Sequence, residues 1–197
     1  MTRRNLTTCL LALGLAAWPG SVIWRAPSAI SAAGTPAPDP TRIERGAYLV
    51  RIMGCNDCHT PLKMGPRGPE PDMARALTGH PADMVMPPAP KLAAGPWGWV
   101  GAVTNTAFAG AWGVSFTANL TPDPDTGLGR WTEEMFIATM KTGRHQGKGR
   151  PILPPMPVPQ LAALNDQDIR DLFAYLQSLP PVRNRVPAPI DPPEEQR

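Results

Sequence analysis

The chain has 197 residues, one domain's worth, with 19 basic against 16 acidic residues and a formal charge of +3. Three of those cations, Arg3, Arg4 and Arg25, lie in a leading segment that holds no carboxylate, so the remainder is formally neutral. That removes the high isoelectric point as an argument for nucleic acid, and no basic stripe interleaved with aromatics stands in its place.

Residues 1–33 have a basic start, an apolar run from Cys9 to Trp18 and small residues through Ala33. The run is shorter than the roughly 20 residues that span a bilayer, so the segment reads as a secretory signal peptide cleaved near Ala33. The alternative is an uncleaved N-terminal anchor, with the apolar run continuing weakly to Ile23. The Arg3-Arg4 pair resembles a twin-arginine signal only faintly. Export predicts a periplasmic protein, touching the membrane only if the segment is retained. Residues 34–40 form a Pro-rich linker. Asp39 is the expected N-cap and Pro40 the first helical residue of a helix through Met53, with Ile43, Gly46 or Ala47, Val50 and Met53 on one face. Gly46 disfavours the helix by roughly 1 kcal/mol, which hints at another backbone close by.

This helix leads into Cys55-Asn56-Asp57-Cys58-His59. The order C-x-x-C-H is that of a c-type haem attachment site. On a helical turn, thiols at i and i+3 and an imidazole at i+4 share a face, so Cys55 and Cys58 can reach the vinyl groups while His59 meets the iron. A thioredoxin-type CxxC needs a βαβ context, and a structural zinc site needs four ligands. Neither surrounds this motif. With both cysteines committed, the exported chain has no disulfide.

Residues 61–118 read as a long irregular insertion rich in Pro, Gly and Trp, with short strands expected near Trp97–Val103 and Val114–Ala118. In the next turn, Asp123, Asp125 and Glu134 fall at positions 1, 3 and 12 of a calcium-loop count, but Leu128 stands at the glycine position and Pro124 stiffens the loop, favouring an ordinary turn. Thr132 caps a helix over Glu133–Thr142 that ends at Gly143, with Met135, Phe136 and Met140 as its expected buried side. A last helix starts after Asn165 and stops at Pro180-Pro181, its Ile169, Leu172, Phe173, Leu176 and Leu179 forming a core stripe. The tail, 182–197, is expected to be extended and mobile.

Met156 lies between these helices in Pro154-Pro155-Met156-Pro157. A thioether opposite a histidine fills both axial positions of a haem iron and favours Fe(II), and the prolines limit the entropy lost in holding it there. His145 is the leading rival ligand, ahead of His80.

Arg45–Val50 before the haem motif, the Met156 loop and the final helix with Phe173, Tyr175 and Leu176 together resemble a class I cytochrome c. Asn119-Leu-Thr-Pro, Gly127-Leu-Gly129, Trp131 and Gly149–Pro157 are similar to cytochrome modules that accompany periplasmic alcohol or gluconate dehydrogenases and some molybdenum hydroxylases. Those subunits often carry three haem modules; this chain has a single CxxCH. The resemblance implies a mainly α domain over 41–181 around one covalent haem c, with the first and last helices crossing where Gly46 nears Phe173 or Tyr175. It implies an electron carrier rather than an enzyme, with a dehydrogenase as donor and an oxidase or cytochrome as acceptor. Lys141, Arg144, Lys148 and Arg150 are candidates for a basic docking rim. A peroxidase or a gas sensor would instead need an open or displaceable iron position.

Overall fold

The computed structural model describes residues 39–92 and 95–192. The leader expected over 1–33, the linker as far as residue 38, and residues 193–197 lie outside the described residues.

Three helices make the frame. Helix α1 (Pro40–Ile52) starts where the Asp39 carboxylate accepts the Thr41 N–H at 2.9 Å, and it buries Gly46, Leu49 and Val50. A short second helix, α2, covers Cys55–His59. Helix α3 (Glu133–Thr142) is capped by Thr132 and ends in left-handed Gly143, φ 64°. After a short α4 (Val158–Ala162), Asn165 caps α5 (Asp166–Ser178), accepting the Asp168 N–H at 2.8 Å. Ile169, Leu172, Phe173 and Leu176 of α5 are all buried, as their spacing requires.

Helix α1 packs on α5, and Gly46 makes the approach possible. A Cβ there would lie 2.0 Å from the Asp171 carbonyl oxygen and 2.6 Å from the Tyr175 Cβ. Arg42 locks the junction: its guanidinium donates to Asp171 (3.0 Å), to Glu133 on α3 (2.6 Å) and to the Arg170 carbonyl (2.9 Å). Glu133 also takes a hydrogen bond from Arg170. Helix α3 departs from its expected face: Phe136 and Thr139 are buried and Met140 packs on the core, but Met135 is exposed. The core contacts α3 at i, i+3 and i+4, which rotates position 135 out.

Segment 61–118 is more ordered than its composition implies. Strands β1 (Leu62–Gly65) and β2 (Gly68–Pro71) form a hairpin; β3 (Trp99–Gly101), β4 (Ala107–Gly110) and β5 (Gly113–Phe116) form an antiparallel sheet. The strands expected near 97–103 and 114–118 correspond to β3 and β5; β4 and the hairpin carried too little alternation to be read. The segment also enters the core. Leu77 and His80 are almost wholly buried, and His80 is bonded at both ring nitrogens, to Thr106 Oγ1 (3.0 Å) and the Met84 carbonyl (3.2 Å).

The tail is extended but pinned between Val182 and Ile190, not free as expected. Asn184 alone donates to the Thr78 and His80 carbonyls (2.7 and 2.9 Å) and accepts the Ala82 N–H (2.9 Å). Among the described residues, no helix is long and apolar enough to cross a membrane.

Candidate functional site

Helix α1 does not run straight into the haem motif. Gly54, at φ 67°, turns the chain by a left-handed step that a residue with a side chain would resist, and α2 begins. The turn aims α2 at a cavity of about 900 Å³ enclosed by the frame, the Met156 loop and the second half of the 61–118 segment. That volume is near the upper end of the roughly 300–1,000 Å³ typical of cofactor pockets. Much of its wall is core residue, among them Val50, Leu128, Phe136, Leu172 and Leu176. The hydrophobic core is therefore built around the cavity.

Cys55, Cys58 and His59 all line it. Neither cysteine is in a disulfide. Burial pushes the Cys55 thiol up to about 11 and raises that of Cys58 as well, so both are protonated thiols at neutral pH, the reverse of an activated redox CxxC. His59 is buried, and its Nδ1 lies 2.8 Å from the Ala118 carbonyl oxygen. Because a carbonyl only accepts, Nδ1 carries the proton and Nε2 keeps its lone pair. Burial lowers the imidazole pKa, against the opposing effect of that hydrogen bond, and keeps the ring neutral. A neutral ring with one nitrogen fixed by the backbone is what a metal-ligating histidine requires.

Met156 lines the cavity from the 151–157 loop. The loop is tied to α3 by the Ile152 N–H on the Gly143 carbonyl (2.8 Å) and to the sheet by the Ser115 hydroxyl on the Pro154 carbonyl (2.6 Å). Ser115 and Ala118 escaped the sequence reading: one is an ordinary serine on a strand, and the other acts through its backbone.

The remaining candidates separate. His80 lies away from the cavity, as do Met64, Met73, Met84, Met86 and Met135; Met53 and Met140 line it beside Met156. His145 also lines it, exposed at the rim and edge-on to Trp131 with ring centres 5.1 Å apart. Of the expected basic rim, Arg150 lines the cavity, while Lys141 is engaged by the Ala162 and Leu164 carbonyls and by Asp166. Asp123 accepts the amides of Asp125 and Thr126 and the Thr126 hydroxyl, so it caps its own turn.

The family model for "Cytochrome c" matches residues 43–180, well over half of the chain, with Cys55, Cys58, His59 and Met156 inside the match. The chain belongs to the cytochrome c family. As a cytochrome c it is an electron-transfer protein, and the domain implies covalently bound haem c, which an apolar cavity with two thiols and a fixed neutral imidazole suits. Over 152 residues it is 28% identical to the alcohol dehydrogenase (quinone) cytochrome c subunit of Gluconobacter oxydans, covering 77% of this chain and 24% of that protein. Over 76 residues it is 41% identical to a nicotinate dehydrogenase subunit of Pseudomonas putida, 39% of this chain and 6% of the relative. It is 33% identical over 63 residues to the gluconate 2-dehydrogenase cytochrome c subunit of Pantoea cypripedii, 32% of this chain and 14% of that one. This cytochrome thus spans a quarter or less of the length of each of these relatives.

Proposed function

We propose that the chain is a periplasmic monohaem cytochrome that takes single electrons from a dehydrogenase and passes them to a respiratory acceptor. Cys55 and Cys58 would hold the one haem c through thioethers, and His59 and Met156 would ligate its iron. The observation that carries this reading is the His59 ring, whose Nδ1 is bound to the Ala118 carbonyl, so that its other nitrogen is left for a metal. When bound, the haem supplies a one-electron Fe(III)/Fe(II) couple in a low-spin, six-coordinate state. The chain's residues keep the site rigid: Ala118 holds the His59 ring, Ser115 and Gly143 hold the Met156 loop, and apolar side chains make up much of the wall. A centre that does not change shape exchanges electrons with little reorganisation.

The same reading makes residues 1–33 a cleaved export signal, 34–40 a linker and 41–181 a mainly α class I domain interrupted by an insertion over about 61–118. The donor is inferred from the relatives, whose names are those of dehydrogenase subunits. Absorption spectra of the purified protein test the ligands. The oxidised form should show a sulfur-to-iron charge-transfer band that Met156→Ala abolishes, and the reduced form should bind carbon monoxide poorly. A band that survives in Met156→Ala sinks Met156 ligation. A bis-histidine iron through His145 is the second reading, because that ring lines the cavity and has no hydrogen-bond partner among the described residues. It predicts that His145→Ala, not Met156→Ala, opens the iron.

A further inference from the structure

The family match ends at residue 180, yet the ordered chain continues. It is fastened at two points. At the first, Asn119 Nδ2 donates to the Val182 carbonyl (2.8 Å), the Val182 N–H donates to Thr121 Oγ1 (3.1 Å), and Asn184 binds segment 78–82 and Thr126 Oγ1. At the second, Ile190 and Val114 of β5 exchange both backbone hydrogen bonds, at 2.8 and 2.9 Å. Gly113 serves that junction: it sits at φ 90°, and a Cβ there would lie 2.0 Å from the Ile190 oxygen. Between the two anchors, residues 185–189 all line the cavity, stiffened by Pro187 and Pro189.

Of the three arginines on the cavity wall, Arg130 is held by Asp125 at 2.6 Å and Arg150 donates to the Pro151 carbonyl. Arg185 has no hydrogen-bond or ion-pair partner among the described residues. Asp125, the carboxylate on the cavity wall nearest in sequence to these contacts, is already shared by Arg130 and Arg183. The anions that a haem brings are its own two propionate carboxylates, and a guanidinium is the side chain best matched to a carboxylate.

We propose that residues 182–190, which lie beyond the family match, are a strap that closes one side of the haem cavity and brings Arg185 to a haem propionate. The inference rests on the haem reading of the cavity. Ferric haem carries one more positive charge than ferrous, and a propionate favours the ferric form, so a cation paired with that carboxylate raises the reduction potential. The strap also adjoins the His59 support, because Asn119, which holds Val182, directly follows Ala118.

The test uses the holoprotein, whose wild-type thioether-haem spectrum checks the haem reading separately. In Arg185→Gln the potential should fall by an amount equal to roughly threefold in the redox equilibrium, about 28 mV for one electron. Arg185→Lys should recover most of it. Arg185 is exposed, so the substitution leaves folding intact. An unchanged potential in Arg185→Gln overturns the pairing. Free imidazole should enter the oxidised protein roughly tenfold faster in a chain ending at Pro181, because the wall it must pass is gone. Equal rates overturn the closure. If the shortened chain retains no haem, the same rate in Asn184→Ala, which unties one anchor, decides it.

Discussion

The helical frame and the 61–118 segment fold by different logic. In the frame, each helix carries its own cap and its own apolar stripe, and its partners are found by matching stripes. In the segment, strands of three or four residues have little local stability, and order comes from single contacts across long sequence distances. Leu62 and His80 are examples: their backbone N–H groups donate to the Thr104 and Thr117 carbonyls, each at 2.9 Å, and Asn105 donates to the Asp57 carbonyl, 48 residues away, at 2.7 Å. The 61–118 segment is therefore no flap laid over a finished cytochrome. It supplies Ala118 to His59, Ser115 to the Met156 loop and Leu77 to the core.

The largest effect should come from removing what both regions enclose. On the proposed attachment through Cys55 and Cys58, chain made as Cys55→Ala/Cys58→Ala cannot hold haem covalently, and side-chain rearrangement cannot fill about 900 Å³. Far smaller core holes already cost about 2–5 kcal/mol, against a total stability of roughly 5–15 kcal/mol. Thermal unfolding followed by near-UV circular dichroism should lose its cooperative transition; a transition as sharp as that of the holoprotein would refute the picture of a core built on the cofactor.

Next, Gly46→Leu attacks the frame alone. The new side chain meets the α5 backbone at Asp171, so α1 must separate from α5, at a cost of about 3 kcal/mol or more. An unchanged denaturation midpoint of the holoprotein would show that the crossing is looser than described.

Leu77→Ala makes the matching test on the 61–118 segment. If that segment is part of the core, the loss should be about 2–4 kcal/mol, comparable with a frame substitution. A loss within ~0.5 kcal/mol, the usual range for surface sites, would return it to the status of a flap.

The smallest effect is pH-dependent. His80 is buried and neutral, its pKa lowered by burial against the opposing Met84 carbonyl and Asp83 charge. A depressed folded-state pKa means that the unfolded chain binds the proton more readily. The His80 contribution is therefore present above the unfolded value near 6.5 and is lost as pH falls below it, by up to about 1.4 kcal/mol per pH unit. Comparing denaturation midpoints from pH 7.5 to 5, His80→Gln should show a flatter decline than the wild type; parallel curves would mean that His80 does not titrate on unfolding.

Elements whose signals are local were legible in the amino-acid order. Asp39, Thr132 and Asn165 are capping residues at their helix starts, Gly143 stops α3, and the α5 stripe is buried where its period places it. The spacing of Cys55, Cys58 and His59 needs only one helical turn to put them on one wall. The rest was settled by contacts between distant segments. The carbonyl that holds His59 belongs to Ala118, 59 residues away, and any residue type could have supplied it. Met135 faces solvent although it is apolar, because the partners of α3 select another side. The strap's composition reads as a loose tail, and it is held by Asn119, Asn184 and Val114, whose roles exist only once those segments have met. Backbone groups carry no residue-type signature, so contacts made through them are written in the fold and not in the pattern.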